Sequence, residues 1–386
     1  MSSYMSFSIR DLAIEVSERI DDPSNSGYDR FVGLEHYKSG QIRIDNWGSP
    51  SKLESSTKVF KTGDCLVARR NVYLKRASIV DFEGLTSGDS IVLRPIDQRS
   101  ARILPFILNS KRFWIYAEKN ADGSMSKRLS PKTLLDYSFN VSNDVNEKTD
   151  YLWSIVDTYQ AYQNLLSKID GIIYARFEEM FGDSTRFPQE PLNLNVHEMF
   201  IGPFGSALKN DCFVEPSEGY CMVYEQKHAI QKTMDLPTRY VNESKYNELK
   251  RFSVLPGDII VSCRGTIGEI YKVPDNAPMG IMHPSIMKIR LNLDRYNPKF
   301  FILALEKYMK EHNNEAKGSG VKMAVTATTL GKELFVVPPM NIQRQFATFV
   351  DQVEMTKKNL MKTMEQLDRL KMDLIYECFE NEDDEK

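Results

Sequence analysis

The sequence predicts an α+β fold: two similar mixed α/β domains, separated and closed by two long helices that pair as an antiparallel coiled coil with pseudo-twofold symmetry. Three observations predict it. The chain of 386 residues repeats itself once at a shift of about 195. Each copy carries short apolar runs around a Gly-Asp turn, followed by a helical stretch. After each copy comes an uninterrupted run with apolar residues at alternating steps of three and four.

The first copy spans 1–145 and the second 183–340. Aligned without gaps, 106–141 and 301–336 share ten of 36 positions, among them Phe106/Phe301, Gly123/Gly318, Lys127/Lys322 and Leu135/Leu330. Upstream, FKTGDCLVARR (60–70) faces SVLPGDIIVSCR (253–264), each with a Gly-Asp turn, an apolar strand and then an arginine, Arg70 or Arg264. SIVLR (90–94) matches SIMKIR (285–290) with a one-residue slip. The Gly-Asp turns between β-rich runs predict hairpins. PFILNSKRFWIYAEKN and PKFFILALEKYMKEHN predict helices opening just after Pro105 and Pro298 and stopping near Gly123-Ser124 and Gly318-Ser319.

Between the copies, 146–182 reads as a central helical spacer with a seam of Leu152, Ile155, Tyr159, Tyr162, Leu166, Ile169, Ile173 and Met180. After the second copy, 341–380 reads as a closing helix with a strict seam of Phe346, Val350, Val353, Lys357, Leu360, Met364, Leu367, Lys371, Leu374 and Cys378. Its two lysines can keep their stems in the seam and carry their charge outward. Each seam must bury against something, and the economical partner is the other helix, antiparallel. Pro338-Pro339 marks where the second begins. Residues 381–386 form an acidic tail, read as frayed and solvated.

Composition is that of a soluble globular chain, 41% hydrophobic and 27% charged. No apolar run reaches the roughly 18 residues of a membrane span. The opening MSSYMSFSIRDLAIEV has no basic segment followed by an apolar stretch, so no signal peptide is expected. Five scattered cysteines without a CxxC pair predict a reduced, cytoplasmic protein. Net charge is −3, but basic residues gather in the copies, with 21 Lys and Arg against 18 Asp and Glu in 1–145 and 19 against 18 in 183–340. The stretches 146–182 and 341–386 are acidic, 3 against 6 and 7 against 11. This balance permits nucleic-acid binding without demonstrating it.

The plan of two modules alternating with two helical stretches resembles that of type I restriction–modification specificity subunits. LPGDIIVSCRGTIGEIYKV (255–273) is similar to a segment recurring in their target recognition domains. LFVVPPMNIQRQFATFVDQ (334–352) resembles the Pro-Pro boundary and Gln-rich helix start that follows such a domain, and RFVGLEHYKSGQI (30–42) the opening of the first. Two departures stand out. VSNDVNEKTD (141–150) lacks the Pro-Pro boundary, and Arg69-Arg70-Asn71 replaces the Arg-Gly-Thr of the second copy. The resemblance implies a non-catalytic subunit that recognises a split target in double-stranded DNA, one half per module. It also implies two methyltransferase subunits docked on the helices and two restriction/translocase subunits. Cofactors would then lie outside this chain, with S-adenosylmethionine, ATP and Mg2+ in the partners. No membrane partner is implied.

Alternatives are a stand-alone DNA modification or cleavage enzyme and a coiled-coil adaptor with no DNA role. Motifs for the first are missing. Val337-Pro338-Pro339-Met340 lacks the polar and aromatic residues that an adenine methyltransferase needs around its prolines, and no P-loop exists. Asp258 with Glu269 and Lys272 misses a nuclease pattern by one residue, which in a strand turns the lysine to the other face. The histidines and cysteines lack metal-ligand spacing.

Basic residues in loops, mixed with Asn, Ser and Gly, are what phosphates and base edges require. The candidates in the first module are Arg69, Arg70, Asn71, Lys75, Arg76, Lys119, Lys127 and Arg128. In the second they are Lys209, Asn210, Arg264, Lys272, Lys317 and Lys322. A 30-residue helix spans roughly 45 Å, against roughly 34 Å between half-sites one turn apart.

Overall fold

The computed structural model describes residues 5–123, 126–319 and 326–379. The chain divides into two compact units, Met1–Leu165 with Asn359–Lys386, and Leu166–Lys358. The long helices, expected as separate spacers at 146–182 and 341–380, are each shared between the two units.

The first unit opens with β1 (Met5–Ser8), β2 (Ala13–Val16), β3 (Arg19–Ile20), β4 (Phe31–Val32) and β5 (Thr57–Phe60). β6 (Cys65–Ala68), β7 (Ala77–Ile79), β8 (Gly84–Thr86) and β9 (Ser90–Pro95) follow. Then come α1 (Gln98–Ile107), α2 (Lys111–Asn120), α3 (Pro131–Leu135), β10 (Ser138–Val141) and the start of α4 (Val145–Phe181). The strands form an antiparallel sheet β2-β9-β6-β7, a second sheet β3-β5-β8-β4 in which β4 and β8 run parallel, and the pair β1-β10.

The second unit continues with β11 (Gln189–Pro191), β12 (Val196–Ile201), β13 (Cys221–Tyr224), α5 (Gln226–Gln231), β14 (Tyr240–Val241), α6 (Glu243–Glu248) and β15 (Ser253–Val254). It adds β16 (Ile259–Ser262), β17 (Ile270–Lys272), β18 (Gly280–Met282), β19 (Ile286–Leu291), α7 (Pro298–Ser319), α8 (Ala327–Lys332), β20 (Leu334–Val336) and the start of α9 (Met340–Phe379). Its sheets are β12-β19-β16-β17, β14-β13-β18-β15 with β13 and β18 parallel, and β11-β20. Strand by strand this is the topology of the first unit. Only the outer strand of the second sheet differs, β3 beside β5 in one and β14 beside β13 in the other. The repeat read from the sequence is a repeat of fold.

Both units are layered for the same reason. The runs Cys65–Ala68 and Ile259–Ser262 are buried at every position, as strands covered on both faces require. Cys65, Val67, Ile91 and Leu93 face α1 and α2, while Leu66, Ala68 and Val92 face the second sheet. Ile259, Val261, Met287 and Ile289 face α7, while Ile260 and Ile286 face Tyr224, Val254 and Met282.

Two expectations fail. The Gly-Asp turns do not make hairpins, because β5 and β6 belong to different sheets, as do β15 and β16. Gly63 (φ 90°) and Gly257 (φ 86°) supply a conformation that a side chain resists, and the turn sends the chain from one layer to the next. The hairpins are β6–β7 and β16–β17. Nor does a helix open at Pro105, which lies inside α1. The Asn109 amide donates to the carbonyls of Pro105 and Ala77, and Ser110 caps α2 by accepting from Phe113 N–H at 3.2 Å. That stop-and-restart is the work of Asn109-Ser110. The second copy has Ala304-Leu305 there, and α7 runs unbroken from Pro298.

The aspartate of each turn is the hub of its sheet. Asp64 accepts from Lys61 N–H (2.8 Å) and from Arg94 at two points (2.8 and 2.7 Å). Asp258 does the same with Leu255 N–H (2.8 Å) and Arg290 (2.8 and 2.8 Å). Both carboxylates are buried, and the fork-to-carboxylate geometry is the strong, directional kind. The pairing registers Cys65↔Leu93 and Ile259↔Ile289 explain the one-residue slip, since they bring Arg94 and Arg290 to equivalent places.

The seams bury as expected within each unit. In the first, Leu152 and Val156 share a core with Ile375, Cys378 and Phe379. Ser142 N–H donates to Cys378 O, while Lys371 lies over the Tyr159 ring, so the helices run in opposite directions. In the second, Phe177 and Phe181 pack on Phe346 and Val350, and Lys357 reaches Asp170 at 2.9 Å. Phe177 fills the seven-residue step that the sequence seam left open.

Candidate nucleic-acid interface

In each unit a hairpin tip closes one end of the helix-facing sheet. In the second unit the tip is Arg264-Gly265-Thr266-Ile267-Gly268 between β16 and β17. The Ser262 hydroxyl donates to Thr266 O (2.6 Å) and accepts from Glu269 N–H (3.0 Å), which fastens the base of the tip. Gly265 (φ 64°) and Gly268 (φ 91°) take the left-handed conformation at its two corners. Arg264 is exposed and makes no ion pair among the described residues.

The first unit builds the same tip from Arg70 to Lys75, one residue longer, with Asn71 (φ 54°) and Lys75 (φ 49°) at the left-handed corners. Side chains there cost roughly 1–2 kcal/mol each. The departure from Arg-Gly-Thr thus resolves: Asn71 stands for Gly265, and Asn buys its place by accepting from the Ser126 hydroxyl at 3.1 Å. A second loop lies alongside. Asn71 N–H donates to Lys127 O, Leu129 N–H to Arg69 O, and Arg128 exchanges backbone bonds with Asp122. Arg70 and Arg128 both approach Asp89, at 3.3 and 3.8 Å.

The candidates therefore separate. Arg69, Arg70, Asn71, Lys127 and Arg128 come together on adjoining loops, with Lys75 exposed on the tip. The Lys127 ammonium donates to Glu118 O (2.9 Å) on α2, near exposed Lys119. Arg76 turns inward, donating to Leu34 O and Arg70 O, and braces the tip. In the second unit Lys272 pairs with Asp275 at 2.7 Å, and Lys209 and Asn210 are exposed on a separate loop. The Lys317 side chain and Lys322 lie outside the described residues, as do Ser124 and the acidic tail. Sequence reasoning missed Asp89, whose signal appears only once β6 and β9 are paired.

Behind the second tip, α5 carries the buried His228, and the half-buried His283 directly follows β18. The His228 ring nitrogen accepts from Glu225 N–H at 3.0 Å, and His283 is bonded to the Ser285 hydroxyl at 2.8 Å. Burial holds both below the ordinary value of 6.5. Such a histidine stays neutral in the fold and takes its proton on unfolding. Its contribution is present above about pH 6.5 and is lost as pH falls towards the folded value. The melting temperature is expected to drop between about pH 7.5 and about pH 5.5, and the His228→Gln/His283→Gln double variant to flatten that drop. An unchanged slope in the double variant would refute the assignment.

No group of three or more His, Cys, Asp or Glu side chains among the described residues is placed to hold a metal ion. No described helix is long and apolar enough to cross a membrane. Asp258 is committed to Arg290. The arrangement offers exposed guanidinium, ammonium and amide groups on rigid loops, which suits it to hydrogen bonding with a polyanion.

Comparison with known proteins agrees. Residues 221–369 match the family described as the type I restriction modification DNA specificity domain. The fold is similar to that of a type-I restriction-modification system S subunit from M. genitalium, with 13% identity, TM-score 0.53, and coverage of 98% of this chain and 97% of that one. It is also similar to a chain from a structure titled "Structural basis underlying complex assembly andconformational transition of the type I R-M system" (15% identity, TM-score 0.54, 96% of each chain). No curated protein sequence matches. Residues 221–369 thus resemble the type I restriction modification DNA specificity domain, and along nearly its whole length the chain has a fold similar to that of a type I S subunit.

Proposed function

We propose that the chain is the non-catalytic, sequence-reading subunit of a type I restriction–modification assembly and recognises a bipartite duplex target through one hairpin tip per module. The observation that carries this reading is the recurrence of the tip. Arg70-Asn71 and Arg264-Gly265 stand at equivalent positions, each after a fully buried strand, with Arg264 exposed and Arg70 partly so. An arginine on a rigid support can meet guanine O6 and N7 with both arms of its fork.

The finer assignments follow the same reading. Two methyltransferase subunits dock on the paired helices, and two restriction/translocase subunits complete the assembly. S-adenosylmethionine, ATP and Mg2+ serve those partners, and the complex works in the cytoplasm.

Methylome sequencing of the host with and without the gene is expected to reveal one split adenine-methylated motif that disappears with it. On a duplex carrying that motif, Arg264→Ala is expected to weaken binding by about 1–3 kcal/mol if the residue reads a guanine. Fluorescence anisotropy measures this, and an unchanged Kd in a folded variant removes Arg264 from the interface.

A further inference from the structure

The first module holds its loop arginines on a carboxylate that the second module lacks. Arg69 N–H donates to Asp89 O at 2.9 Å, and Cys263 N–H donates to Ser285 O at 2.8 Å. Asp89 and Ser285 therefore occupy the same place, one residue before the paired strand in each sheet. Their side chains act differently. Ser285 turns its hydroxyl to His283 at 2.8 Å. Asp89 faces Arg70 at 3.3 Å and Arg128 at 3.8 Å.

One negative charge serves two guanidinium groups, and neither contact is the close two-pronged fork seen at Asp64. The arginine side chains remain 42% and 48% exposed. Each keeps N–H groups turned to solvent and can be drawn away by a competing anion. A duplex phosphate is such an anion, and its attraction carries no sequence information.

We propose that Asp89 is a specificity-determining residue, withholding Arg70 and Arg128 from the phosphate backbone of non-target DNA. Any duplex that recruits these arginines by charge alone must first break their contacts with Asp89. A duplex that presents the right base edges can engage the exposed N–H groups while Asp89 keeps the guanidinium groups in place. This proposal rests on the reading that the tips face DNA.

The test uses the full chain, a fluorescent duplex of arbitrary sequence about three helical turns long, and a salt titration. Asp89→Ser, which installs the residue of the second copy, and the shape-conserving Asp89→Asn are both expected to bind about three- to tenfold tighter near 0.1 M salt. The slope of log K against log salt is expected to steepen by about 1–2, close to one per freed arginine. In an Arg70→Ala/Arg128→Ala background, Asp89→Ser is expected to change neither quantity. The proposal is overturned by an equal gain in that background, which would mark a bulk charge effect. It is also overturned if both Asp89 variants bind like the parent while Arg70→Ala/Arg128→Ala loses affinity. If the arginine variants and Arg264→Ala all keep the parent's affinity and slope, the DNA-facing reading itself falls.

Discussion

Asp258→Ala is expected to destabilise the second unit by about 3 kcal/mol, near the lower end of the range for breaking a buried ion pair. The carboxylate is buried, and its loss strands Leu255 N–H and both donors of Arg290. Arg290 keeps one partner, Glu198 at 3.0 Å, which moderates the cost. Asp64→Ala removes the same three bonds in the first unit, and a loss of similar size is expected there. Urea denaturation followed by circular dichroism measures both. A chemical rather than structural role for Asp258 predicts a variant that melts like the parent, and that result would sink the present assignment.

Phe346→Ala is expected to cost about 3–5 kcal/mol through the cavity it leaves. The ring is fully buried and meets Phe177 and Phe181 edge-on at 5.7 and 5.5 Å, where α9 closes the second core. Phe346→Leu keeps most of the volume and is expected to cost under about 1.5 kcal/mol. Denaturant midpoints of the pair decide the matter. Equal losses would mean that the helix start is not packed as described.

Signals that depend on neighbours in sequence were legible before the structure. The spacing of Gly63 and Gly257, the alternation of seam residues and the equivalence of Arg70 with Arg264 are of this kind. Seam lysines behave as their chemistry predicts, with Lys357 reaching out to Asp170 and Lys371 to Asp368 and Gly40 O. Signals that depend on sheet register were not legible. The partners of Asp64 and Asp258 lie 30 and 32 residues away, and nothing local marks Asp89 as a neighbour of Arg128. Sequence reading also gave Gln343 no individual part, although it is buried and bonds to Asn297 N–H, Arg295 O and Pro338 O. The helix break at Asn109-Ser110 was hidden because Pro105 looked like the stronger punctuation. At the tips, the positions of Arg69, Arg70 and Arg264 were readable, whereas the inward turn of Arg76 towards Leu34 O depends on a strand-to-loop contact 42 residues away.

The core of the first module includes Ile375, Cys378 and Phe379. A ribosome making this protein must therefore add the whole stretch from 166 to 358 before the wall of that core exists. At 5–20 residues per second the wait is on the order of 10–40 s. During it, Leu152 and Val156 have no permanent cover, and a nascent chain stalled in that window would offer apolar surface to chaperones. Early translation would thus yield an open half-structure, sealed only when the late helix arrives.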